Sequence, residues 1–105
     1  MRRKVKDEQQ YAALLESVST LASLLVELNR QAVREYTPLV EGILRSKSRD
    51  AHQIETTLDG LLDFCGDDGA LLLYRRLCRY YYGLDPAAAV EYVHAYQERW
   101  EEPTE

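Results

Sequence analysis

Glycine and proline are scarce in this 105-residue chain, with five Gly and three Pro. So little punctuation disfavours a fold of many short strands and tight hairpins and favours a few long helices. Cysteine is nearly as scarce: two Cys are too few for a disulfide framework of several bridges and read as reduced thiols rather than a bridge. No uninterrupted apolar run approaches the roughly 20 residues of a membrane span. The start Met1-Arg2-Arg3-Lys4-Val5-Lys6 is basic, but Asp7-Glu8-Gln9-Gln10 follows where a signal peptide needs apolar residues. A cytoplasmic protein is expected, with no membrane contact. Gly-x-Ser-x-Gly, P-loop, Gly-x-Gly-x-x-Gly and Cys-x-x-Cys motifs are all absent from the sequence. The expectation is therefore not an enzyme, with no cofactor.

What is present fits one domain. The length leaves no room for two independent cores, and 46% hydrophobic with 30% charged residues is ordinary globular composition. Eight Tyr against one Phe is the one oddity. The net charge of −5 is unevenly spread. Residues 1–49 hold nine basic and six acidic side chains, a surplus of +3; residues 50–105 hold four and twelve, or −8. An acidic half discourages phosphate-backbone binding and suits a basic partner surface or the basic half of another copy.

Apolar residues at Tyr11, Leu14, Val18, Leu21, Leu25, Leu28 and Ala32 alternate steps of three and four, a heptad seam. Leu15, Ala22, Leu24 and Val26 widen it, so the helix faces more than one neighbour. Thr37-Pro38 lies where the register slips at Glu35. Because proline costs a helix interior about 3 kcal/mol but suits a first turn, the expectation is a helix over about 7–36 and a second over about 38–47. One kinked helix through both is the alternative. Asp50 caps the next helix, with Gln53 placed to reach back as in a capping box. Its apolar face is Ile54, Leu58, Leu61, Leu62 and Cys65, ended by Gly66 as a left-handed cap. Asp67-Asp68 starts a fourth helix with Leu71, Tyr74, Leu77, Cys78 and Tyr81 on one face, stopped by Gly83. Asp85-Pro86 starts a fifth that runs to about Glu101, with Ala89, Val93, Tyr96 and Trp100 on one side. Nothing reads as strand. The expected fold is all-α: a bundle of four to five helices in a single domain 1–105, with a long N-terminal helix, short turns, a basic arm over 1–8 and a tail over 103–105.

The C-terminal aromatics are candidate contact residues. Tyr80-Tyr81-Tyr82 spans about 200° of a helix, so the three cannot share one core. Tyr81 continues the apolar stripe, while Tyr80 lies beside Arg76 and Tyr82 beside Arg75 and Arg79. Tyr92, Tyr96 and Trp100 form a ladder spaced by four, with Arg99 alongside. Such residues pack between helices with their hydroxyls at the rim, or serve an interface. Glu55, Asp59 and Asp63 make an acidic stripe that Arg75, Arg76 and Arg79 would oppose in surface ion pairs. Asp67-Asp68-Gly69 lacks the alternating ligands of a calcium loop. Glu91-Tyr92-Val93-His94 has the Glu-x-x-His spacing of di-iron bundles but no second copy, so no metal is expected and His94 reads as a partly buried polar contact. Cys65 and Cys78 read as small hydrophobes on neighbouring stripes. A helix-turn-helix is disfavoured, because its recognition helix would open with Gly69-Ala70-Leu71-Leu72-Leu73 and offer bases nothing polar.

The runs Leu58-Asp59-Gly60-Leu61-Leu62-Asp63-Phe64-Cys65, Leu71-Leu72-Leu73-Tyr74 and Leu77-Cys78-Arg79-Tyr80-Tyr81-Tyr82, with Tyr92-Val93-His94-Ala95-Tyr96, Trp100 and the Tyr36-Thr37-Pro38 break, carry a resemblance. The chain resembles a family of short uncharacterised helical proteins of anaerobic gut bacteria, often near mobile elements. The resemblance implies a bacterial cytosolic protein and assigns no residue a role.

Two functions are expected in competition. The first is a protein–protein interaction module, a homodimer or other homo-oligomer formed through the N-terminal seam, with Tyr80, Tyr82, Tyr92, Tyr96, Arg99 and Trp100 as further interface candidates. The second is an accessory regulator of a mobile element, contacting nucleic acid through Arg2, Arg3, Lys4 and Lys6 and the arginines of the fourth helix.

Overall fold

Carboxylates start three of the helices in the computed structural model of the chain. Asp50 Oδ1 accepts from Gln53 N–H at 3.2 Å, Asp67 Oδ2 from Gly69 and Ala70 N–H at 2.9 and 3.1 Å, and Asp85 Oδ1 from Ala88 N–H at 3.1 Å. Each satisfies donors that a first turn leaves without partners. The structure describes the backbone of residues 2–102 and the side chains of 8–102. It is an all-α bundle of four helices: α1 (Arg2–Ser46), α2 (Ala51–Leu62), α3 (Asp68–Leu84) and α4 (Pro86–Trp100). The basic cluster Arg2, Arg3, Lys4 and Lys6 and the tail over 103–105 lie outside the described side chains.

Four helices replace the possible five because Pro38 does not break α1. Thr37, expected as an N-cap, donates its hydroxyl to the Val33 carbonyl in the manner of a helix-interior threonine. Pro38 itself is exposed, while Val40 and Ile43 just beyond it are buried in the core and Val33 and Tyr36 just before it pack against that core. Burial of both flanking turns offsets the missing N–H. The helix ends at Lys47, whose φ of 52° is left-handed. Ser48 N–H reaches the Ile43 carbonyl at 3.1 Å and Lys47 N–H the Leu44 carbonyl at 3.4 Å. That is a Schellman ending with lysine where glycine is usual.

The two glycines expected to stop helices do other things. No glycine has positive φ. Gly66 lies beyond α2, in the turn before α3, where Trp100 occupies the space a side chain would need: a Cβ there would sit 2.8 Å from Trp100 Cζ3. Gly83 lies inside α3, and Asp85 ends it, donating its N–H to the Tyr81 carbonyl at 2.8 Å while its carboxylate caps α4. Gln53 does not complete a reciprocal capping box. Its Oε1 accepts from Ser48 Oγ at 3.1 Å, and Ser48 Oγ accepts from Asp50 N–H at 3.2 Å, so a serine relays the bond.

The chain forms two units, one ending at Arg30 and one starting at Gln31. The second contains the core: Val40 and Ile43 of α1, Ile54, Leu58 and Leu61 of α2, Cys65 in the turn that follows, Leu73, Leu77 and Tyr81 of α3, and Ala89 of α4. The expected faces of α2 and α3 are buried as read, except that Leu62 and Leu71 are half-buried. On α4 the packed residues are Ala88, Ala89, Tyr92 and Tyr96, and Val93, expected on the inner side, is exposed.

Candidate interaction surfaces

Within residues 8–30 the seam is uncovered. Tyr11, Leu14, Leu15, Val18, Leu21, Leu24, Leu25, Val26 and Leu28 are each between 51% and 64% exposed. At about 100° per residue, all but Leu24 fall on one apolar arc of about 160°. Glu16, Ser19, Thr20, Ser23 and Glu27 occupy the opposite side. Ala32, where the seam enters the second unit, is 5% exposed. The segment Glu8–Ser46 is also long and apolar enough to cross a membrane by length and composition.

The aromatic and acidic residues of the second unit lock together. Tyr81 donates its hydroxyl to Glu55 Oε2, Tyr92 donates to Asp59 Oδ1 at 2.9 Å, and Arg99 Nη1 donates to Asp63 Oδ1 at 2.8 Å. The acidic stripe of α2 therefore faces hydroxyls and the α4 arginine. The expected ion pairs to Arg75, Arg76 and Arg79 do not form, because those three project from a different side of α3. The bond to Glu55, then burial, push the Tyr81 hydroxyl up to about 12, and burial followed by the bond to Asp59 raises that of Tyr92. Both phenols stay protonated donors near neutrality.

Other candidates are used in the same way. Tyr80 donates to the Ser48 carbonyl at 2.7 Å, Tyr74 to the Tyr92 carbonyl at 2.6 Å and Trp100 Nε1 to the Leu62 carbonyl at 2.7 Å. Tyr96 is half-buried and tilted against Tyr74, and Arg99 lies 5.3 Å over the Trp100 ring. Of the C-terminal candidates only Tyr82 is both exposed and without such a bond among the described residues. The exposed arm of the interface set is thus the seam of α1.

Neither a protein-family model, a curated protein nor a solved structure matches the chain. Chemistry must be read from the side chains themselves. His94 is exposed rather than partly buried, because it points away from the packed face of α4 that carries Tyr92 and Tyr96. Among the described residues no three His, Cys, Asp or Glu side chains converge on a point where a metal could sit. Cys65 and Cys78 are buried free thiols. Burial, reinforced by the neighbouring Cys78, pushes Cys65 up to about 12, and burial pushes Cys78 up to about 11. Neither is poised as a thiolate nucleophile.

One feature escaped the sequence. An open groove of about 640 Å³ runs between α3 and α4, floored by Leu71, Tyr74, Val93 and Tyr96 and walled on one side by Arg75 and Arg79. Arg75, Arg76 and Arg79 have no carboxylate within 4.0 Å among the described residues. The signal was available in part: Arg75 and Arg79 are spaced by four, so they share a helix face. Which neighbour would lie beside that face was not.

Proposed function

We propose that this protein is a cytosolic, non-enzymatic interaction module that self-associates through the N-terminal helix, in its simplest form as a homodimer. The observation that carries this reading is the continuous apolar arc from Tyr11 to Leu28, with all eight of its large side chains more than half exposed. A stable interface covers roughly 800 Å² per partner, and an arc of eight large apolar side chains over about five helical turns supplies the apolar centre of one. Monomeric proteins rarely leave a contiguous apolar patch of that size in water. The three-four spacing is the pattern by which one helix seats its side chains between those of another.

The same segment satisfies the length and apolarity of a membrane span. Glu16 and Glu27 weigh against that use, since a carboxylate in the hydrocarbon core costs about 2.5–3.5 kcal/mol even on insertion scales. A helix lying on an anionic bilayer would want Lys and Arg on its polar side, and Glu16 and Glu27 stand there instead. A partner helix leaves both glutamates in water.

Sedimentation equilibrium of the full chain tests the reading. Wild type is expected to assemble, and Leu21→Asp with Leu25→Asp to sediment as a monomer while retaining the thermal transition of the second unit. A wild-type protein that stays monomeric at several hundred micromolar would overturn it.

A further inference from the structure

The groove between α3 and α4 is unoccupied by any side chain of the second unit, and its two walls differ in kind. The floor is apolar, and so is the α4 wall along Val90 and Val93, which are 40% and 42% exposed, before it turns polar at Gln97 and Glu101 at one end of the groove. The other wall carries Arg75 and Arg79, one helical turn apart, on a half of the chain that is otherwise strongly acidic. Beyond that wall the apolar surface continues at Leu72, 58% exposed, in a second groove that Arg75, Arg76 and Arg79 also border.

We infer that this groove is a docking site for an amphipathic helix with acidic flanks, supplied by another protein. From Leu71 to Tyr82 the wall is about 16 Å long, which accommodates three turns of a helix. Open grooves of this kind take the apolar face of a helix through anchors at i, i+3 or i+4, and i+7. Leu71, Val90 and Val93 receive those anchors. Arg75 and Arg79 are spaced like two carboxylates one turn apart on the docked helix, and a guanidinium binds a carboxylate through two parallel hydrogen bonds. No carboxylate among the described residues lies within 4.0 Å of them, Glu101 at the end of the groove included. A basic partner would be repelled by the two guanidiniums, and an uncharged one would gain nothing from them. A small enclosed ligand is a poorer fit, since such sites cover most of the ligand's surface and this groove is open along its length. The site is independent of the seam on α1 and stands or falls separately.

Selection of a random displayed library of peptides of about 16 residues on the immobilised full-length protein tests it, with Arg75→Glu/Arg79→Glu as a parallel bait. Both substitutions are on exposed side chains, and circular dichroism checks that the variant is folded. Wild type is expected to enrich sequences with apolar residues at helical spacing flanked by Asp and Glu. These peptides should lose at least about tenfold in affinity on the charge-reversed bait, and exchanging their acids for lysine should restore binding to it. Enrichment without acidic bias, or peptides indifferent to the two arginines, would overturn the assignment. So would displacement of the selected peptides by a peptide of residues 8–30, which would make the occupant a second copy. Displacement by phosphatidylglycerol vesicles would overturn it in favour of a lipid surface.

Discussion

Lys47 shows what a single residue contributes here. It closes α1 with φ at 52°, a conformation in which a Cβ crowds the following carbonyl and glycine has no such penalty. Both hydrogen bonds of the motif come from the backbone, so removing the side chain leaves them intact. Lys47→Gly is therefore expected to raise stability by about 0.5–1 kcal/mol, seen as a higher urea midpoint with an unchanged slope. A fall in the midpoint would mean that the lysine stem packs usefully.

The buried thiols and Tyr81 set the response to alkali. Their folded-state values, about 12 for Cys65, about 11 for Cys78 and about 12 for Tyr81, lie above the ordinary 9.0 and 10.0. Between pH 9 and 11 the unfolded chain loses these protons while the folded chain largely keeps them, and the folded chain in turn gives them up between about 11 and 12. The unfolded chain thus binds fewer protons than the native state, so stability falls as pH rises. Below pH 9 the contribution is fully present. Urea midpoints should stay level from pH 7 to 8.5 and drop steadily above 9, and Cys65→Ala with Cys78→Ala should make the drop shallower. A midpoint that is flat to pH 11 would show that the thiols ionise freely in the fold.

At the scale of elements, α2 separates core from surface within three residues. Leu61 is fully buried, and Leu61→Ala should cost about 2–5 kcal/mol as a truncation that leaves a void. Asp63 holds Arg99, but both side chains are about half in water or more, so Asp63→Ala should cost no more than about 1 kcal/mol despite the 2.8 Å contact. Parallel thermal melts check the contrast, and comparable losses would mean the ion pair is far stronger than its exposure allows.

The helices and their inner faces were legible because they rest on local rules. Asp50, Asp67 and Asp85 cap where carboxylates at helix starts belong, and Ile54, Leu58 and Leu61 recur at the helical period. Pro38 was misread because a local penalty of about 3 kcal/mol is outweighed by burial on both sides of it, which depends on contacts far along the chain. Gly66 was misread for a related reason: its partner, Trp100, lies 34 positions away. The acidic stripe shows the same limit at the candidate sites. Spacing by four put Glu55, Asp59 and Asp63 on one face and Tyr92, Tyr96 and Trp100 on another, yet only the packing of α2 with α3 and α4 matched carboxylates to Tyr81, Tyr92 and Arg99.

At the scale of the whole molecule, the N-terminal helix raises a question of cooperativity. Residues 8–30 bury almost nothing within the chain, so their helicity rests on propensity and on continuation from the packed turns after Gln31. Ser17, Val18, Ser19 and Thr20 are indifferent helix formers, with Thr20 donating its hydroxyl to the Glu16 carbonyl at 3.0 Å. A lone copy should fray from its N-terminal end, and association should repair it by burying the apolar arc. Helix content therefore becomes a function of protein concentration. Circular dichroism of wild type at 222 nm is expected to deepen per residue from low to high micromolar concentration, whereas Leu21→Asp/Leu25→Asp should give the same shallow signal throughout. The thermal transition of the assembled form should likewise rise with concentration, as mass action requires when folding and association are linked. Helicity that is already complete and constant in dilute wild type would show that the helix needs no partner, and self-association would then have to be argued from the sedimentation result alone.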